Sequence, residues 1–255
     1  MPVFEKYAKY YDLIYKDKDY RKEAKFVHER IQKNLSSVHS ILEMGCGTGR
    51  HAAFLSDKGY DITAVDASKT MLDVARASMH MPRSDTKRVE FIHGNLKNFR
   101  LDRRFDVVLS LFHVMSYQQT NEDLAAAFNT AVKHLKKDGI FFFDFWYGPA
   151  VLTEKPSVRV KQMEDRQLKI TRIAEPVMHH NDNIVDVNYT FFILNKQSGN
   201  VEELKEKHRM RYLFAPEIMQ FLASTNLQLV EFAEWLTARS PGVDTWNVYC
   251  IAKAN

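Results

Sequence analysis

Cysteine is almost missing from this chain of 255 residues: Cys46 and Cys250 are the two it has. Two thiols make no disulfide framework, and neither falls in a Cys-x-x-Cys or Cys/His spacing, so no metal site is expected. Long apolar runs are missing too. None approaches the ~20 residues that span a bilayer, and Met1 to Tyr20 is charged and aromatic instead of signal-like, so a cytoplasmic location is expected. No dense Lys/Arg stripe with interleaved aromatics marks a nucleic-acid surface, and a formal charge of +4 is merely compatible with anionic substrates. Internal repeats and low-complexity tracts are absent as well. What is there, 45% hydrophobic and 27% charged residues, suits one large globular domain or one domain with a substantial insert.

Glycine is scarce, nine residues in all, yet three of them fall within five positions. Ile41 to Arg50 reads Ile-Leu-Glu-Met-Gly-Cys-Gly-Thr-Gly-Arg: a strand, a tight turn and a helix start, in which Gly45, Gly47 and Gly49 let a ligand lie against bare backbone. Cys46 is a small residue of this loop. The third glycine comes one residue earlier than in the dinucleotide pattern, and Glu43 stands where it would repel a pyrophosphate. A ligand with an adenosine, a cation and a carboxylate but no phosphate fits, and S-adenosylmethionine is such a ligand. The stretch resembles the motif Asp/Glu-x-Gly-x-Gly-x-Gly of class I S-adenosylmethionine-dependent methyltransferases.

The residues that follow are in register with that resemblance. Thr48 to Lys58 suits a helix with Gly59 as its cap, and the strand Asp61 to Val65 ends in Asp66, 17 residues beyond Gly49. An acid there can accept hydrogen bonds from both hydroxyls of a ribose. Ser68 can cap a helix with Leu72, Ala75 and Met79 along one face, and Met71 in its first turn can touch an adenine. A basic connection, Pro82 to Arg88, leads to the strand Val89 to His93. The resemblance puts the triplet Gly94-Asn95-Leu96 beside the adenine, although Asn95 stands where the family usually has Asp.

Phe105 to Tyr117 is a continuous apolar run suited to a strand buried on both faces, with ligand expected at its C-terminal end, where His113, Ser116 and Tyr117 lie. Thr120 or Asn121 starts a helix whose Leu124, Ala127/Phe128, Ala131/Val132 and Leu135 recur at helical spacing. Glu122 and Asp123 sit at its positive end and Lys133, Lys136 and Lys137 at its negative end, Gly139 stops it, and Ile140 to Phe145 is a fifth strand.

Two stretches lie outside this alternation. Phe4 to Tyr20 is an arm dense in tyrosine, with a helix predicted over Arg21 to Leu35. Beyond Trp146 the chain is broken by Pro149, Pro156 and Pro176, and Ile184 to Asn195 alternates with Val185, Val187, Tyr189, Phe191 and Ile193 on one face. Glu202 to Tyr212 alternates Leu204, Met210 and Tyr212 with Lys205, Lys207, Arg209 and Arg211, so one face is expected to be wet. With Val158 to Lys161 and Leu168 to Ile173 this predicts an inserted antiparallel sheet of three or four strands. Pro216 then opens a helix, and Leu227 to Trp235 and Trp246 to Ala252 are the last strands. The expected class is α/β: a seven-stranded Rossmann-like methyltransferase sheet, its last strand antiparallel, with an inserted antiparallel β-sheet. Residues 1–147 are expected to hold the arm and cofactor core, 148–214 the insert, a lid or dimer surface, and 215–255 the completion of the core.

Methyl transfer asks a protein to aim a lone pair and exclude water. An amine acceptor need only be neutral, whereas a hydroxyl needs a base in reach. His113 and Tyr117 are the candidates for contacting the acceptor. No Asn-Pro-Pro-Tyr and no cytosine-enzyme cysteine pair is present, which argues against nucleic acid as acceptor. Tyr11-Asp12-Leu13-Ile14, Lys18-Asp19-Tyr20, the Gly-Thr-Gly loop, Phe112 to Tyr117 and the insert together resemble the bacterial N,N-dimethyltransferases of nucleotide-linked amino sugars, although Trp146-Tyr147 departs from the acid-Pro-Trp-Trp seen in some. That resemblance implies a cofactor site of Tyr11, Tyr20, Glu43, Gly45, Cys46, Gly47, Gly49, Asp66, Ala67, Met71, Asn95, Leu96 and Leu111, with Tyr11 beside the methionine part and a homodimer through the insert. It implies a small-molecule N-methyltransferase; an RNA methyltransferase, a glycine-type small-amine enzyme and a catalytically silent cofactor binder are the other readings.

Overall fold

The computed structural model describes residues 4–79 and 89–255. The basic connection Pro82 to Arg88 lies outside the described residues. The arm forms a 3-10 turn (Tyr7–Tyr10) and a short helix α1 (Tyr11–Ile14), followed by α2 (Tyr20–Asn34). Asp19 caps α2 by accepting from Lys22 N–H at 2.9 Å, which fixes its start one residue before the sequence expectation. The core continues as β1 (Ser40–Met44), α3 (Arg50–Ser56), β2 (Asp61–Asp66), α4 (Lys69–Met79), β3 (Val89–His93), β4 (Phe105–Ser110), α5 (Asn121–His134) and β5 (Leu135–Trp146). After α6 (Gly148–Thr153) come β6 (Arg159–Glu164), β7 (Leu168–His179), β8 (Ile184–Asn195) and β9 (Val201–Arg211), then α7 (Ala215–Ser224), β10 (Leu227–Glu234) and β11 (Asn247–Ala254).

Among the described residues the strands form a seven-stranded sheet of order β10-β11-β5-β4-β1-β2-β3 and a four-stranded antiparallel sheet of order β6-β7-β8-β9. In the large sheet β1 to β5 pair in parallel, and β11 runs antiparallel between β5 and β10. This is the α/β arrangement expected from the sequence. Period-two alternation feeds both faces. Ile41, Val107, Ile140 and Phe142 pack toward α2 and α3, while Leu42, Val108, Phe141 and Phe143 pack toward α5 and α7. Each fully buried phenylalanine contributes roughly 1.5–3 kcal/mol by leaving water. Among the described residues no helix is long and apolar enough to cross a membrane.

Several boundaries differ from the sequence expectation, each for a local reason. Helix α3 begins at Arg50, not Thr48, because the glycine loop keeps a left-handed backbone up to Gly49. Helix α5 stops at His134, and Leu135 belongs to β5, where it pairs with Phe105. Gly139 therefore stops no helix. A side chain there would press to 2.9 Å on the Asp106 carbonyl, so the glycine permits a close backbone approach within the sheet. Pro149 opens α6 instead of breaking the chain, since a first-turn proline has no N–H to satisfy. Pro176 lies inside β7; β6 pairs only as far as Ala174, so the proline falls where that edge of β7 has no partner.

The arm is one of the ties between the two sheets. Tyr7, Tyr10 and Ile14 pack in one cluster with Met71 of α4 and with Met163, Ile170, Phe191 and Leu204 of the insert. Arg211 supplies a second tie. The sequence put it on a wet face, but it is 7% exposed, paired with Glu217 at the start of α7 and 2.6 Å from Asn121 Oδ1 at the start of α5.

Candidate functional site

The order of the large sheet reverses between β1 and β4, and the crevice at the C-terminal ends of such strands is where a doubly wound sheet holds a ligand. A cavity of about 760 Å³ opens there. Its floor is the loop after β1. The N–H groups of Gly45 and Cys46 donate to the Val65 carbonyl at 2.7 and 3.0 Å, and Gly47 N–H donates to Asp66 Oδ2 at 2.8 Å. Gly47 has φ +55°, and a Cβ built on it meets nothing within 4 Å. That position is bare because it faces open space in the cavity wall, the cradle a ligand would fill.

Asp66 takes a second backbone donor, Ser68 N–H, at 2.8 Å on Oδ1. Burial pushes its carboxyl up, and the bonds from Ser68 and Gly47 partly restrain that shift. A carboxylate offers about four acceptor sites, so capacity remains for hydroxyls from the cavity. Ser68 also caps α4, accepting from Met71 N–H at 3.2 Å, which sets Met71 in the wall.

Glu43 and Gly49 stand behind this loop and are not among the residues lining the cavity. Glu43 is 1% exposed, and burial, aided by the charge of Asp66, pushes its carboxyl up to about 8. It is therefore mostly neutral at pH 7 and is not the phosphate-repelling charge expected from the sequence. His51 lies between two acids, with Nε2 2.8 Å from Glu23 Oε2 and Nδ1 3.9 Å from Glu43 Oε1. Burial would raise Glu23, but His51 and Lys18 outweigh it and hold its carboxyl at about 2. The Cys46 thiol is pushed far up by burial and by the Asp66 and Glu43 charges, which leaves it an inert small side chain.

One wall is aromatic. Tyr11 and Tyr15 lie 4.7 Å apart, Tyr15 meets Phe112 edge-on at 5.2 Å, and Tyr20, Tyr117 and Trp146 complete the lining. Phe112 and His113 both have φ 63°, a conformation that side chains seldom adopt, directly after β4. Asp144 holds that turn. Its two oxygens each stand 3.2 Å from His113 N–H, and Oδ2 is 3.0 Å from His113 Nδ1, close enough for a charge contact though not aligned as a hydrogen bond.

The wall facing the glycine loop comes from the insert and was not read from the sequence. Arg172, Tyr189, His208 and Met210 line it. Tyr117 Oη is 2.7 Å from His208 Nδ1, and His208 Nε2 is 3.1 Å from Glu206 Oε2. Burial, then the neighbouring Tyr15, Tyr189 and Glu206, push the Tyr117 phenol well up, so it stays protonated at neutral pH. Of the residues expected from the sequence, the cavity brings together Tyr11, Tyr20, Gly45, Cys46, Gly47, Asp66, Ala67, Met71, Asn95, Leu96, Leu111, His113 and Tyr117.

Residues 41–139 match a family described as a methyltransferase domain. The chain is 28% identical over 192 residues, 72% of its length and 75% of the relative's, to the dTDP-3-amino-3,4,6-trideoxy-alpha-D-glucopyranose N,N-dimethyltransferase of Streptomyces venezuelae. It superposes on an S-adenosylmethionine-dependent methyltransferase from Clostridium acetobutylicum with a TM-score of 0.83 at 23% identity, covering 100% of both chains. A second structure, the amino pentose methyltransferase CalS10 from Micromonospora echinaspora with S-adenosylmethionine bound, gives a TM-score of 0.77 at 19% identity, covering 100% of this chain and 99% of that one. At these identities the structural likeness speaks for the fold.

Proposed function

We propose that this chain, a methyltransferase by its 41–139 domain, transfers the methyl group of S-adenosylmethionine to the amine of an amino sugar carried on a nucleotide. One cavity lined by Gly47 and Asp66 together with His113, Tyr117 and the insert's Arg172, Tyr189 and His208 carries this reading. The residues present suit the cofactor: the open space over Gly47, the spare acceptor capacity of Asp66 and the aromatic lining correspond to bare backbone for the ligand, a ribose partner and a home for a cation. S-adenosylmethionine, when bound, supplies an electrophilic methyl group on a sulfonium.

The chain's own work is then placement. Asp66 holds the ribose end, Met71, Asn95 and Leu96 enclose the base, and Tyr11, Tyr15 and Tyr20 keep water from the cation. Asp144 holds the His113 backbone N–H and so places the ring beside the cavity, where it can meet the acceptor. The Streptomyces venezuelae relative is named for a dTDP-linked amino sugar, and CalS10 for an amino pentose. Arg172, without a carboxylate partner among the described residues, gives the insert wall a cation suited to an acceptor that carries a diphosphate. The register of the insert puts Val160, Val177, Phe192 and Val201 on its outer face, where each is exposed, and this supports a second copy of the chain as the partner of that face.

Calorimetry with S-adenosylmethionine and S-adenosylhomocysteine, followed by mass analysis of a dTDP-amino sugar incubated with enzyme and cofactor, tests the function. Binding plus a gain of one or two methyl groups on nitrogen is expected. No binding, or methylation of RNA or glycine in place of the sugar, would overturn it. Sedimentation velocity tests the second copy.

A further inference from the structure

The insert sets His208 against Tyr117 of the turn after β4. His208 is 4% exposed and lies between two oxygens, Tyr117 Oη at 2.7 Å from Nδ1 and Glu206 Oε2 at 3.1 Å from Nε2. A carboxylate can only accept, so a neutral imidazole in this position would present Nε2–H to Glu206. Nδ1 is then a lone pair, and Tyr117 must be the donor in the shorter bond. This assignment pairs both ring nitrogens and leaves the phenol oxygen with lone pairs of its own, on a side chain that lines the cavity. The groups facing His208 are Tyr117 from the turn after β4, Glu206 on its own strand, Tyr189 on β8, and Phe4 and Tyr7 of the arm; Arg172 lies over the Tyr189 ring.

We propose that Tyr117, His208 and Glu206 form a proton relay that takes the proton from the acceptor's ammonium, with His208 and Glu206 acting as positioning residues through Tyr117. This rests on the amine reading above. An amino group held as ammonium has no lone pair to offer. In the relay its N–H bond breaks and the electron pair stays on nitrogen. The proton passes to Tyr117 Oη while the Tyr117 proton moves to Nδ1 of His208. The product is a neutral amine and an imidazolium facing the Glu206 carboxylate, with no net charge ever held on the phenol. A monomethylated product is again an ammonium, so a second transfer draws on the same relay once His208 has returned its proton through Tyr117 to water in the opened cavity.

The cofactor-free protein gives the first test. In ¹⁵N NMR, His208 is expected as the neutral Nε2–H tautomer, with ring shifts and titration altered by Tyr117→Phe and by Glu206→Gln. A neutral ring protonated on Nδ1 would overturn the relay. In the active enzyme, His208→Gln is expected to lower kcat by about 100-fold or more with an unchanged dissociation constant for S-adenosylmethionine, the deficit shrinking as pH approaches the amine's own pKa. Glu206→Gln, which keeps the imidazole, is expected to lose about tenfold with the same pH trend. An active wild type beside His208→Gln and Glu206→Gln variants of undiminished kcat and unshifted pH profile refutes the relay alone. A wild type that methylates no amine refutes the function proposed above together with it.

Discussion

Gly47 N–H and Asp66 Oδ2 meet at 2.8 Å, so the turn after one strand is held by the acid that ends its neighbour. Because Asp66 also receives Ser68 N–H, one side chain shapes the glycine loop, the start of α4 and the polar end of the cavity together.

Asp66→Ala is therefore expected to act twice. It strands two backbone donors, at about 1–3 kcal/mol for each one that stays buried, and removes the carboxylate proposed to hold the ribose. Calorimetry is expected to show S-adenosylhomocysteine affinity lower by about 100-fold or more, with a reduced melting temperature. Unchanged affinity would separate Asp66 from the ligand.

The tyrosine wall makes a charge-specific expectation. Tyr11→Leu removes an aromatic face while keeping bulk, so binding of the sulfonium cofactor is expected to weaken by about 2- to 30-fold, the range of a cation–π contact, with S-adenosylhomocysteine much less affected. Equal losses for the two ligands would make Tyr11 a packing residue.

Glu43 gives the fold a pH dependence of defined sign. Its carboxyl titrates at about 8 in the folded state against an ordinary 4.5, so the native protein holds the extra proton between those values. The contribution of this group to stability is whole below 4.5 and is lost as pH rises toward 8. Melting curves across that window are expected to fall more steeply for the wild type than for Glu43→Gln; parallel curves would count against the shift.

Arg211→Ala leaves Glu217 facing Asn121 without its cation. Glu217 is partly exposed, so the loss is expected to fall short of the ~3–5 kcal/mol of a fully buried pair, a drop of several degrees in melting temperature for a chain of this size. A change of less than a degree or two would mean that water replaces the guanidinium.

The large sheet was legible because most of its strands are apolar runs closed by glycine, acid or turn residues, and the part of the cavity around Gly47 and Asp66 was legible because Gly45 to Asp66 is one contiguous βαβ unit. The lining formed by His113, Tyr117 and the insert comes from separate stretches of the chain. Glu206 and His208 share strand parity with Leu204 and Met210, so the alternation itself contained the signal: two polar side chains at positions that should be dry. Reading that stretch by its lysines and arginines hid them. Arg211 was misread because nothing local says that a strand's last side chain will meet the starts of two distant helices.

The division of the cavity between two sheets has an evolutionary consequence. The surface around Gly47 and Asp66 is built into the large sheet, while Arg172, Tyr189 and His208 ride on strands of a different hydrogen-bonded layer. Descendants of such a chain can rewrite the insert's inward-facing side chains and so change what enters beside it, with the glycine loop inherited intact.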